Sequence, residues 1–299
     1  MNAAPPIAPE SLSEYMQKLR HLSGNARPVN KNEAVETLET RDPAIAAELL
    51  QVSSLPTAER YLGLAERYRE RGVLDAAYRN FNRALALNPH DASAFDGLAR
   101  VWRDWGLPAL ALGDAHRATY HAPQSASARN THGTVMQALG RYDDARRSYE
   151  AAARLDPQAA YAFNNLCYLS FIEGRVGAAI ETCRQALELD PAMTAARNNL
   201  ALAFAAAGSI DRARTEFLDA GDRASALYNS GIVLLAAGDY RRALDAFDEA
   251  SKARPSFHLA LKRAQQVREQ SYLASRKERL HGAASPTGRP GGPLPQQEP

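Results

Sequence analysis

The chain has little of what most functional classes require. Its 299 residues include only two cysteines, Cys167 and Cys183, whereas a zinc site needs about four ligands at tight spacing. An excess of one charge is also missing. Against 36 Lys and Arg stand 34 Asp and Glu, a net charge of +2, so no global field draws the chain to nucleic acid or to an anionic membrane. Long apolar runs are absent as well: stretches such as residues 232–237 fall far short of the ~20 residues that cross a bilayer. The opening MNAAPPIAPESLSEY has neither a basic n-region nor an apolar h-region, and no lipid-attachment cysteine lies near it. The expectation is a soluble, cytoplasmic chain without a membrane partner. No convincing strand precedes a glycine-rich phosphate loop, and no HExxH, clustered Cys/His set or Gly-x-Ser-x-Gly elbow occurs. Hence no catalytic residue, cofactor or metal site is expected, and the chain does not read as an enzyme.

What the chain does have is alanine at a fixed rhythm. Ala77 and Ala84 recur as Ala111/Ala118, Ala145/Ala152, Ala179/Ala186 and Ala213/Ala220, each pair 34 residues after the last, and Ala243/Ala250 follow after 30. Pro89, Pro123, Pro157, Pro191 and Pro255 close most units, and Gly72, Gly106, Gly140, Gly174, Gly208 and Gly238 open the second half of each. Self-similarity at this period means a stack of supersecondary units, not a globule around one active site. Within the first unit, Tyr61, Leu64, Ala65 and Tyr68 fall at i, i+3, i+4 and i+7, the apolar stripe of a helix. Gly72 is placed to end that helix in a left-handed cap. Ala77, Phe81 and Ala84 mark a second helix, which Asn88-Pro89 stops. The small alanines suit a close crossing of the two helices.

This pattern, Tyr61-x-x-Leu64-Ala65-x-x-Tyr68…Ala77-x-x-x-Phe81…Pro89, resembles the tetratricopeptide repeat, a helix–turn–helix unit of 34 residues. Phe95, Leu98, Ala99 and Trp102 repeat it, as do Phe163, Leu166 and Cys167, then Leu200, Ala201 and Phe204, and finally Leu227, Gly231 and Leu234. The resemblance implies an all-α fold, a right-handed α-solenoid of stacked antiparallel helix pairs. It covers six units: residues 58–91, 92–125, 126–159, 160–193, 194–223 and 224–257. Residues 258–281 keep helical periodicity and resemble the C-terminal helix that caps such arrays. Residues 11–57 read as an N-terminal helical cap, in which Asp42-Pro43 is a helix start. Residues 1–10 and the Pro/Gly-rich tail 282–299 are expected to be disordered.

The third unit departs most from the pattern, with Arg129 and His132 in place of the aromatic and the leucine; Arg197 repeats the first change in the fifth unit. Such arginines either lie along the surface with their heads in water or give a binding face a cationic lining. His132 has no second histidine at i+3 or i+4 with which to share a metal. Cys167 and Cys183 read as two small buried apolar residues on facing helices, since a disulfide is out of place in a reducing compartment.

In tetratricopeptide arrays the first helix of each unit lines the concave side, so the resemblance makes that face the ligand surface. Asn130, Asn164, Asn165, Asn198, Asn199 and Asn229 lie along it. Asparagine both donates and accepts, and such a ladder, similar to that of O-GlcNAc transferases, can grip a peptide backbone. Asparagine before the leucine is equally part of the family's common scaffold. Tyr168 and Phe171, with Ile172, Leu202, Ile232 and Leu235, could add an apolar strip or could serve helix packing. A clamp for the C-terminal carboxylate of chaperones is disfavoured in the first unit, where Glu59, Glu66 and Glu70 have the wrong charge. The expected function is non-catalytic binding of a protein or peptide partner by a scaffold or adaptor. A bacterial pilus or secretion-system assembly factor is one alternative. An RNA-binding helical repeat is another, but it needs a basic stripe that these first helices lack.

Overall fold

The structure is a computed structural model, and it describes residues 42–282; the readings made for residues 1–41 and 283–299 lie outside the described residues. Among the described residues there are fourteen helices and no strand, in two compact units, one ending at His121 and the other beginning at Ala122. Among them, too, no helix is long and apolar enough to cross a membrane.

The first unit contains α1 (Pro43–Ser54), α2 (Ala58–Glu70), α3 (Leu74–Leu87), α4 (Ala92–Asp104) and α5 (Pro108–His121). The second contains α6 (Ala126–Ala138), α7 (Tyr142–Leu155), α8 (Ala160–Ile172), α9 (Val176–Leu189), α10 (Thr194–Ala206), α11 (Ile210–Asp219), α12 (Arg223–Ala236), α13 (Tyr240–Ala253) and α14 (His258–Gly282). Consecutive helices pack as pairs, α2 with α3, α4 with α5, α6 with α7, α8 with α9, α10 with α11 and α12 with α13.

One turn is used inside every pair. The glycine after the first helix takes a left-handed backbone, φ +73° at Gly72 and +78° at Gly238, which other residues adopt at a cost. The amide after it donates back to the carbonyl five residues earlier: Val73 N to Tyr68 O, Arg175 N to Ser170 O and Asp239 N to Leu234 O, each 2.9 Å. This satisfies carbonyls that the helix end would leave orphaned, and it reverses the chain in two residues. The second helices end differently. Asn88, Asp156 and Asp190 are extended C-caps, the conformation that a following proline imposes.

The recurrent alanines lie at the crossings of these pairs. Ala77, Ala84, Ala111, Ala118, Ala145, Ala152, Ala179, Ala186, Ala213, Ala243 and Ala250 are all fully buried. Ala220 is the exception: it caps the shorter α11 and is only half-buried, because the shortened interval ends that helix early. A leucine at any of the buried positions would overpack its crossing, at a cost of about 1–3 kcal/mol.

Each unit is covered at one end by an extra helix. Asp42 caps α1, its Oδ1 accepting from Ala44 N at 3.0 Å and Ile45 N at 3.3 Å, with Pro43 in the first turn. Ile45 and Val52 of α1 then join Leu64, Ala65 and Tyr68 in one core. In the second unit Ala260, Ala264 and Val267 of α14 close over Leu234, Phe247 and Ala250. The two cysteines are buried and face one another across α8 and α9, as expected, but they are joined in a disulfide in place of the two free thiols expected from the sequence.

Candidate functional site

The candidate residues all fall in the second unit, on α6 (Asn130), α8 (Asn164, Asn165, Tyr168, Phe171), α10 (Asn198, Asn199) and α12 (Asn229). Here α6, α8 and α10 are neighbours: α8 packs beside both of the others. The asparagines explain how. Asn165 Nδ2 donates to Asn130 Oδ1 at 2.7 Å, and Asn199 Nδ2 donates to Asn164 Oδ1 at 2.9 Å, each bond joining successive first helices across 35 residues of sequence. Four of the six amides thus tie helix to helix, each with donor or acceptor capacity to spare. Asn198 and Asn229 make no such bond among the described residues, although both are only half-buried.

The spacing accounts for that break. The bonded pairs are 35 residues apart, one more than the 34-residue interval. Across the 30-residue interval the equivalent partner of Asn198 is Asn229, 31 residues on. The four missing residues shorten α11 to ten and lead through Gly221, at φ +127°, into α12. The ladder stops where the interval shortens.

The apolar candidates divide by burial. Tyr168 and Ile172 share a stripe of α8 with Asn164 and Asn165, and Tyr161, not among the expected site residues, extends it seven residues before Tyr168; all three apolar side chains are more than a third exposed. Phe171 and Leu202 are half-buried against the core around Cys167 and Leu200, and Ile232 and Leu235 against the core around Leu234 and Phe247. The exposed part of the strip therefore belongs to α8, which carries no charged residue along Ala160–Ile172.

The departures from the repeat pattern are absorbed by packing. His132 Nδ1 lies 2.8 Å from Ser148 Oγ, so the ring is engaged across the α6/α7 pair. Arg197 turns toward α11, where it pairs with Glu216 at 3.4 Å and donates to the Pro191 carbonyl at 3.1 Å. It lines a cleft of ≈ 290 Å³ with Arg184, Phe204 and Glu216, and its charge is neutralised there.

The corresponding face of the first unit has another chemistry. Arg100 on α4 bonds Glu66 on α2 at 2.5 Å and Asp96 on its own helix at 3.1 Å. Arg69 bonds Glu66 at 2.8 Å and Asp104 at 3.2 Å. Burial works against the Arg69 cation, but the two carboxylates outweigh it and raise its pKa. The sequence showed these charges; it did not show that they satisfy one another.

Comparison with known proteins agrees with this architecture. Two family models described as tetratricopeptide repeat match the chain, one over residues 131–194 and 228–265, the other over residues 170–231. No curated protein matches by sequence. Among solved structures, PilW, a widely conserved type IV pilus biogenesis factor, is 20% identical, with 70% of this chain and 97% of that chain covered at a TM-score of 0.61. PilF of Pseudomonas aeruginosa is 21% identical, covering 71% and 97% at 0.56. A tetratricopeptide repeat protein from Parabacteroides merdae is 15% identical, covering 79% and 97% at 0.57. At these identities the likeness is one of fold. With the glycine turns, the buried alanine pairs and the matched models together, residues 131–265 are tetratricopeptide repeats.

Proposed function

We propose that the chain is a non-catalytic interaction module, a scaffold or adaptor that holds an extended, weakly charged peptide segment along the first-helix face of α6, α8, α10 and α12. The observation that carries this reading is the α8 stripe. Tyr161, Tyr168 and Ile172 stay exposed beside amide groups, on a helix without charge. Aromatic anchors next to groups that both donate and accept suit a peptide whose backbone is gripped and whose apolar side chains are covered. Asn198 and Asn229 are the amides free to do the gripping; Asn130, Asn164, Asn165 and Asn199 contribute what their mutual bonds leave over. Tyr168 is the central contact, and Phe171 supports it from the half-buried side.

A library of displayed peptides selected on the full chain tests this directly. The expected winners are rich in uncharged apolar residues and lose binding to the Tyr168→Ala variant while keeping it with Glu66→Ala. Winners dominated by acidic or basic residues, or binding indifferent to Tyr168, would overturn the reading.

A pilus assembly factor is the second reading, favoured by the fold likeness to PilF and PilW over nearly the whole of those chains. An RNA-binding role has less support. The first helices of the second unit carry only Arg129, Arg197 and Arg223, of which Arg197 is already paired, and phosphate contacts need a basic stripe.

A further inference from the structure

Cys167 on α8 and Cys183 on α9 are 16 residues apart, and the same offset relates equivalent positions on the two helices of every other pair. The partners there are Ala65/Phe81, Ala99/Ala115, Gly133/Tyr149, Ala201/Phe217 and Gly231/Phe247. At Gly133/Tyr149 and Gly231/Phe247 an aromatic ring lies against the small residue, and the same residue types stand at Ala65/Phe81 and Ala201/Phe217; Phe81, Tyr149, Phe217 and Phe247 are each at most 2% exposed. The fit is tight: a Cβ added at Gly133 would lie 2.5 Å from Tyr149 Cε1, and one at Gly231 2.6 Å from Phe247 Cε1. The ring fills the crossing. The α4/α5 pair, with two alanines, is tied instead by Trp102, whose indole N–H donates to Asp114 Oδ2 at 3.1 Å.

The α8/α9 pair has neither device. Cys183 stands at the aromatic position, and Ser170 stands where α4 has Trp102. What it has is the disulfide, with the two Cα atoms 5.1 Å apart and both side chains fully buried. That separation lies within the ordinary range for the bond.

We propose that the Cys167–Cys183 disulfide is the tie of the α8/α9 pair, standing in for the aromatic ring of its neighbours, and that the chain works in its oxidised form. The cross-link forms by thiol–disulfide exchange. One cysteine thiolate attacks an acceptor disulfide, small-molecule or protein, and releases one thiol; the second cysteine then attacks the mixed disulfide and releases the other. Two cysteine thiols are oxidised and one acceptor disulfide is reduced to two thiols. Such bonds persist in oxidising compartments, so the cross-link and the cytoplasmic location expected from the sequence predict opposite redox states in the cell. Reduction leaves two small thiols where other pairs have a ring, and it loosens α8 and α9 specifically.

The test uses the full chain. Protein taken from its native cells under acid quench and alkylated after unfolding without reductant is expected to stay unlabelled at both cysteines. In hydrogen exchange, a phosphine reductant is expected to speed α8 and α9 amides at least about tenfold while leaving α13 and α14 unchanged. The variant Cys167→Gly/Cys183→Tyr, which installs the pair found at Gly133/Tyr149, is expected to keep α8/α9 protection and to ignore reductant. Quantitative alkylation of both cysteines in the native protein, or α8/α9 exchange that reductant does not move, would overturn the proposal. The reductant experiment needs no variant to fold.

Discussion

Glu59, Glu66 and Glu70 on α2 stand three 34-residue intervals before Tyr161, Tyr168 and Ile172 on α8, so the same three register positions carry carboxylates in one unit and exposed apolar groups in the other. Between successive first helices the contrast continues. Where Arg100 reaches across to Glu66, the second unit has amide bonds, Asn165 to Asn130 and Asn199 to Asn164. Both solutions bind helix to helix, but they leave different surfaces. The ions of the first unit are largely spent on one another, whereas the amides of the second are neutral and flank an uncovered stripe. The repeat frame decides where a column of side chains runs; the residues in that column decide what it can hold.

The largest expected effect breaks the charged side of this contrast. Arg100→Ala takes the guanidinium from Asp96, whose side chain is 7% exposed, and from Glu66. Removing one partner of a buried pair costs roughly 3–5 kcal/mol; Arg100 itself is a quarter exposed, so about 2 kcal/mol is expected here. Hydrogen exchange of α2 to α5 measures it, and unchanged protection would mean that the network is decoration. Next comes an exchange of chemistry between the two faces. Tyr161→Glu/Tyr168→Glu/Ile172→Glu gives α8 the residues of α2. Affinity for peptides selected on the native chain is expected to fall at least tenfold, about 1.4 kcal/mol, with helicity by circular dichroism unchanged. Full affinity would move the binding face elsewhere.

A smaller effect separates the asparagines from one another. Asn165→Ala and Asn199→Ala each remove a half-buried amide bond, worth about 1 kcal/mol. Asn198→Ala and Asn229→Ala remove none and are expected to leave the urea midpoint in place. If all four variants shift it alike, the paired and unpaired asparagines are not distinct.

That distinction marks how far the sequence could be read. The turns were legible because only a glycine at positions such as Gly72 takes the left-handed conformation cheaply, and the alanines because only small residues fit the crossings. Both are local constraints that any copy of the unit must obey. The pairing of Asn165 with Asn130 is not local: it depends on how one unit rests on the next, and six asparagines in a row look equivalent until that register is known. Exposure is likewise a property of the stack, so Tyr168 and Phe171, three residues apart, could not be told apart from their spacing. The disulfide was hidden for another reason. Two cysteines 16 residues apart do not reveal the compartment that sets their redox state, and the offset has meaning only beside Gly133/Tyr149, where it marks a helix crossing.

The smallest effect concerns the joint at which the asparagine ladder ends. With Asn198 and Asn229 unbonded, the start of α12 is held by Asp222, which accepts from Ser225 N at 2.7 Å and pairs with Arg254 at 2.5 Å. The bonds from Ser225, then Arg254, hold the carboxyl down at about 2, below its ordinary 3.8. A folded pKa below the unfolded one means that the stabilisation is complete above about pH 4 and is lost as pH falls toward about 2. Asp222→Asn keeps a capping oxygen and removes the charge. The variant is therefore expected to be slightly less stable at neutral pH and to lose less α12 protection between those two pH values. Because Asp222 lies at the surface, solvent screens the effect, and it should shrink further in high salt. Identical acid profiles for Asp222→Asn and the native chain would show that this carboxylate does not hold the joint, and that the short interval is bridged by apolar packing alone.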